Sequence, residues 1–165
     1  MDPAISQKKD ADESVVLTIA KEIDGPNIYR IKEDAGRFTP KQLIDIIFMH
    51  HMQYESNVTL EQVAFQKALK YSIEEEQRRR EVYFSINETK VGNKEQRIRG
   101  LLPLYQRGVI FHRHNEYEYE KQLMQFPRGR HDDRIDCMSF CLDTLKPTRK
   151  KGNKVFYQKI TGYFK

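Results

Sequence analysis

The run from Phe126 to Asp136, FPRGRHDDRID, constrains this chain more than any other stretch. Asp132, Asp133 and Asp136 fall within five positions, preceded by His131 and flanked by Arg128, Arg130 and Arg134. An apolar helical pattern follows at once, through Ile135, Met138, Phe140, Cys141, Leu142 and Leu145. The acids therefore open a helix whose body is built for burial. Carboxylates are favourable there, because the free N–H groups and the macrodipole make a helix start positive. Two readings of the cluster stand side by side. Asp132 or Asp133 caps the helix and the remaining charge is solvated. Alternatively, clustered carboxylates repel one another until a cation neutralises them, and their hard oxygens suit Mg²⁺ or Mn²⁺.

With 165 residues the chain is expected to form one domain with a real core. Charged residues make up 32% of it, yet nine Phe, nine Tyr and periodic aliphatic runs argue against general disorder. No apolar run has the length of a membrane span, and the Met1-Asp-Pro-Ala start does not read as a signal peptide. Cys137 and Cys141 share one predicted helix at a spacing poor for a disulfide, which suggests small core residues in a reducing compartment. Charge is uneven. Residues 1–89 carry 12 basic and 16 acidic side chains, whereas residues 90–165 carry 17 and 8. A basic half beside an acid cluster points to a surface for a polyanion and a pocket for a cation; an unevenly charged soluble protein is the plainer alternative.

Along the chain, Pro3 keeps Asp2 extended, and residues 6–14 are polar and loop-like. Residues 14–23 read as a strand, Asp24-Gly-Pro-Asn27 as a turn, and residues 27–32 as the returning strand, ended by Asp34-Ala-Gly36. Thr39 caps a helix that Pro40 opens and that runs to about residue 53. A strand ends at Glu61. The next helix carries Phe65, Ala68, Leu69 and Ile73 inward and runs into Glu74–Glu76 and Arg78–Arg80, whose charges pair along a solvated face. Residues 82–86 are predicted as a strand, 87–93 as a loop, and 94–106 as one helix stopped by Gly108. A short strand at 109–111, a helix at 117–126 and the acid-bearing helix follow. Residues 146–165 form a basic tail with a possible strand at 155–157. A hairpin followed by strand–helix alternation predicts an α/β fold: one mixed sheet with helices on both faces.

In that order Asp2 lies at a strand end, Glu61 closes another strand, and Asp132 and Asp133 open the last major helix. Adjacent strands and a covering helix can bring such positions together. Three carboxylates on a rigid sheet would hold two divalent ions about 4 Å apart for in-line phosphodiester hydrolysis. Taken singly, Asp2 also reads as an ordinary terminal residue and Glu61 as a surface acid.

These residues resemble the nuclease domain of the large terminase subunit of tailed bacteriophages. The resemblance rests on Asp2-Pro-Ala, on residues 58–67 (VTLEQVAFQK), on Lys94, Arg97-Ile98, Leu102-Pro103 and Gly108-Val-Ile110, and on the stretch from Gln122 through Asp136. It spans residues 2–141. It implies a ribonuclease H-like fold and a metal-dependent endonuclease that cuts double-stranded DNA with little sequence preference. Asp2, Glu61, Asp132 and Asp133 would be the catalytic, metal-holding acids for two Mg²⁺ or Mn²⁺ ions. Asp136 would be a further ligand or a structural acid. Lys90, Lys94, Arg97 and Arg99 would face DNA phosphates, with Arg128, Arg130 and His131 beside them; a solvated helix face is the plainer role for the first four, and capping or packing for His131.

The resemblance also implies partners: an ATPase motor domain, the portal and the small terminase subunit, in the host cytoplasm and with no membrane. Two departures qualify it. The family places several apolar residues before the first acid, where only Met1 stands here, so the chain looks like a cut-out domain. No GxxxxGK[ST] phosphate loop occurs, so the motor and its ATP hydrolysis are expected to be absent. A resolvase or transposase core of the same fold, and a DNA-binding or docking module inactive on its own, are the competing readings.

Overall fold

The computed structural model describes residues 13–61, 64–89 and 92–145. Asp2 and its expected strand, Lys90, and the basic tail with its possible strand at 155–157 lie outside the described residues.

The fold starts from a hairpin. Strand β1 (Ser14–Lys21) and strand β2 (Ile28–Gly36) pair antiparallel, and Glu22 N–H bonds to Asn27 O at 2.8 Å across the turn. The β-branched run Val15, Val16, Thr18 and Ile19 suits a pleated, half-buried surface. β2 continues to Gly36, past the end expected at Asp34, because every position from Glu33 to Gly36 still has a partner on β1. On the other side of β2, the two-residue strand β5 (Ile110–Phe111) adds in parallel, placing Ile28 opposite Ile110.

Helix α1 (Pro40–Tyr54) follows the hairpin. Thr39 and Gln42 form a reciprocal capping box, with Pro40 in the first turn. Strand β3 (Val58–Glu61), helix α2 (Ala64–Arg80) and strand β4 (Ile86–Thr89) come next, and β3 pairs with β4 in parallel. The expected strand at 82–86 is thus displaced toward the C-terminus. Val82, Phe84 and Ile86 do alternate into the core, which is the pattern the sequence displays. Residues 82–85, however, are held by other groups: Gln77 Nε2 donates to Phe84 O at 2.8 Å, and Ser85 N–H donates to Asn57 Oδ1 at 3.2 Å.

The helix expected at 94–106 is two helices, α3 (Lys94–Arg99) and α4 (Leu102–Gln106). Pro103 has no N–H to continue the ladder and crowds the turn before it, so the chain breaks at Gly100 and Leu101. Gly108, at φ +64°, ends α4 in a conformation that side chains other than hydrogen disfavour. Helices α5 (Tyr117–Gln125) and α6 (Asp133–Thr144) complete the described chain.

Strands and helices make a mixed α/β structure, but the described strands form two sheets where one was expected. The order is β1-β2-β5 in the first and β3-β4 in the second. Two apolar cores flank β1. Leu17 and Ile19 pack with Ile135 and Met138 of α6, while Val16 packs with Ile44, Ile47 and Phe48 of α1. Odd and even positions of one strand thus serve opposite helix layers, as strand alternation requires. No described helix is long and apolar enough to cross a membrane.

Candidate functional site

The acids of α6 are not spent on capping it. Asp132 occupies the N-cap position, at φ −141° and ψ 12°, but its side chain makes no bond to the helix. Gln122 of α5 does that work: its Oε1 accepts from Arg134 N–H at 2.9 Å and from Ile135 N–H at 3.4 Å. Gln122 is buried beside Tyr119, so the amide is held where the free N–H groups of α6 emerge. The capping alternative read from the acids is therefore answered by a residue for which the sequence suggested no capping role. The available signal was a glutamine on the apolar face of α5, between Tyr119 and Phe126.

The three acids take distinct partners. Asp132 Oδ1 accepts from Lys94 Nζ at 2.7 Å, and Asp136 Oδ2 lies 3.6 Å from the same ammonium. Asp136 is also clamped by Arg97, whose Nε reaches Ser139 Oγ at 3.2 Å. Asp133 Oδ2 accepts from Glu13 N–H at 3.3 Å, which ties α6 to the head of β1. Burial works against the Lys94 ammonium, but the bond to Asp132 and the charges of Asp136, Asp132 and Asp133 outweigh it and hold its pKa above the ordinary lysine value. α3 thus sets two cations against the acid-bearing turn.

Glu61 enters from the other sheet. It ends β3 on the face opposite Val58 and Leu60, which pack on the α1–α2 core. A cavity of about 430 Å³ joins it to α6, with Glu13, Glu61, Arg97, Asp133 and Asp136 among its lining residues. Acids far apart in sequence therefore open onto one space. Among the described residues no three His, Cys, Asp or Glu side chains are placed to hold a metal ion. By donor chemistry, Glu61, Asp132 and Asp133 suit a hard divalent cation.

The basic candidates divide by exposure. Arg128, Arg130 and His131 are exposed on the loop before α6. Arg99 is exposed and paired with Glu95 at 2.7 Å. Arg97 has only 8% of its side chain exposed, so its charge is directed at Asp136.

Two further polar networks were not anticipated from sequence. Arg30 is buried, bonded to Glu33 at 2.5 Å and to Glu116 at 2.7 Å, and lies 3.5 Å over the Tyr119 ring. His50 bridges Thr18 Oγ1 and Asp34 Oδ2, both at 2.7 Å. Each joins elements across the fold. The only local signal was a polar residue at an apolar parity of its strand or helix.

No protein-family model matches this chain, and no curated protein matches it.

Proposed function

We propose that the chain is a metal-dependent endonuclease domain of the kind its sequence resembles, cutting double-stranded DNA by phosphodiester hydrolysis. The observation that carries this reading is the shared cavity: Glu61 of β3 and Asp133 of α6 face one space, and the loop that leads into α6 is basic and exposed. Two divalent ions, Mg²⁺ or Mn²⁺, would supply an activated water and stabilise the leaving oxygen. Glu61, Asp132 and Asp133 would hold them, together with Asp2, which lies outside the described residues. Lys94 orients Asp132 and offsets its charge, while Arg97 keeps Asp136 turned inward as a structural acid. Arg128, Arg130 and His131 would contact backbone phosphates, a mode of binding that carries no base readout.

A second reading is favoured by one observation. Asp132 and Asp136 are already neutralised by Lys94 and Arg97, as suits a DNA-binding module with no activity of its own.

Supercoiled plasmid with Mn²⁺, with and without EDTA, separates the two. The nuclease reading expects metal-dependent nicking and linearisation that Asp133→Ala and Glu61→Ala both abolish. Calorimetric titration with Mn²⁺ alone supplies an independent readout, with binding weakened in both variants. Plasmid binding without cleavage or Mn²⁺ uptake would select the second reading.

A further inference from the structure

Two cations stand against the acids of α6, and they are held very differently. Arg97 is buried and anchored twice, to Asp136 and, through Nε, to Ser139 Oγ. Moving it away would leave the Asp136 carboxylate with Lys94 at 3.6 Å as its counter-ion, and uncoupling a buried charge pair is costly. Lys94 makes one short bond, from Nζ to Asp132 Oδ1 at 2.7 Å. Its side chain is 46% exposed and that of Asp132 is 36% exposed, so water competes for both ends of the pair. Lysine is also a compact, strongly hydrated charge on a flexible stem. This ammonium can therefore turn out into solvent at little cost, whereas the Arg97 guanidinium cannot.

The position of Lys94 is explained by α6 and not by its own helix. It sits in the first turn of α3, behind the Asn93 cap, where the helix macrodipole disfavours a cation. What draws it is the acid turn: the charges of Asp136, Asp132 and Asp133 all act on it. One positive charge thus lets three clustered carboxylates stay together. That charge also rests on an oxygen of Asp132, which the nuclease reading assigns to a divalent ion. An ammonium at 2.7 Å and an Mg²⁺ at about 2.1 Å from one oxygen would be like charges only about 4 Å apart. Both cannot use Asp132 Oδ1 at once.

We propose that Lys94 is the resident cation of this site: it holds Asp132 in place until a divalent ion arrives and is then displaced from Asp132 into solvent, while Arg97 stays on Asp136. The amine keeps its proton throughout, and only its partner changes. The inference rests on the nuclease reading, because it takes Asp132 as a metal ligand.

The test uses the full chain with Mg²⁺ alone, without DNA. An ammonium held in a salt bridge is followed through its own nitrogen–proton resonance, assigned by its absence from Lys94→Met. That resonance is expected to disappear over the same Mg²⁺ range in which calorimetry records uptake. Lys94→Met, freed of the competing charge, is expected to bind Mg²⁺ about threefold to tenfold more tightly. A Lys94 resonance that persists at saturating Mg²⁺ overturns the proposal, whatever the variant does, and leaves the nuclease reading standing. Equal affinity in the two proteins overturns it in the same way. Absence of Mg²⁺ uptake by either protein overturns the proposal and the nuclease reading together. Should Lys94→Met not fold, Lys94→Arg assigns the resonance, and its response to Mg²⁺ decides alone.

Discussion

Gln122 holds the start of a helix to which it does not belong: its side-chain carbonyl receives the Arg134 N–H at 2.9 Å. The bond fixes α5 against α6 and leaves the acids of the α6 turn free for cationic partners. Replacing Gln122 by Ala removes the acceptor for two N–H groups beside a buried residue. The expected cost is about 1–2 kcal/mol of unfolding free energy, read from the urea midpoint at unchanged slope. Gln122→Glu keeps the acceptor and is expected to lose less. Equal losses in the two variants would show that packing, and not the bond, matters at this site.

Arg97 and Asp136 act as a pair. A double-mutant cycle with Arg97→Met and Asp136→Asn is expected to give a coupling energy of about 1–3 kcal/mol, since Asp136→Asn leaves the buried Arg97 charge without its counter-ion and Arg97→Met leaves Asp136 with the longer Lys94 contact alone. Additive single effects would reduce the contact to a coincidence of packing.

At α2, Glu76 accepts from both Arg79 and Arg80, and these bonds pull its pKa down to about 2. A carboxylate depressed on folding contributes stability above its unfolded value, near 4.5, and that contribution fades as pH falls through about 2. The site is solvent-exposed, so salt should erode the effect. Glu76→Gln is therefore expected to flatten the stability profile between pH 4.5 and 2 at low ionic strength, and to do little at 1 M NaCl. Thermal melts across that window check the sign.

Helix α1 ends on Glu55 at φ 50° and ψ 33°, with its N–H bonded to His51 O. A left-handed residue with a Cβ is strained there. Glu55→Gly is expected to raise the unfolding free energy by about 1 kcal/mol at most, once the added freedom of the unfolded chain is counted, and with it the melting temperature. Glu55→Val should lower it.

Local signals were the ones the sequence displayed well. Thr39-Pro40 marked the start of α1, and Asp24-Gly-Pro-Asn27 marked the hairpin turn, because caps and turns depend on residues a few positions apart. The extent of β4 was not legible. Val82, Phe84 and Ile86 alternate as a strand would, but which of them pair was decided by β3 and by the Gln77 and Asn57 side chains. The same holds at the site. The α6 acids announced themselves as a cluster, whereas their partners Lys94 and Arg97 depended on how α3 docks. Arg30 shows the limit most plainly. Its counter-ion Glu116 is remote in sequence, and nothing near either residue records the pairing.

One consequence follows from the way β1 sorts its side chains. Val16 belongs to the core under α1, and Leu17, its immediate neighbour, to the core under α6. The strand is therefore a seam between two hydrophobic territories, each with its own helices and its own share of the sheet structure. Structures divided in this way open in pieces. Two residues joined by a single peptide bond thus report on different cooperative units, and softening one territory need not loosen the other.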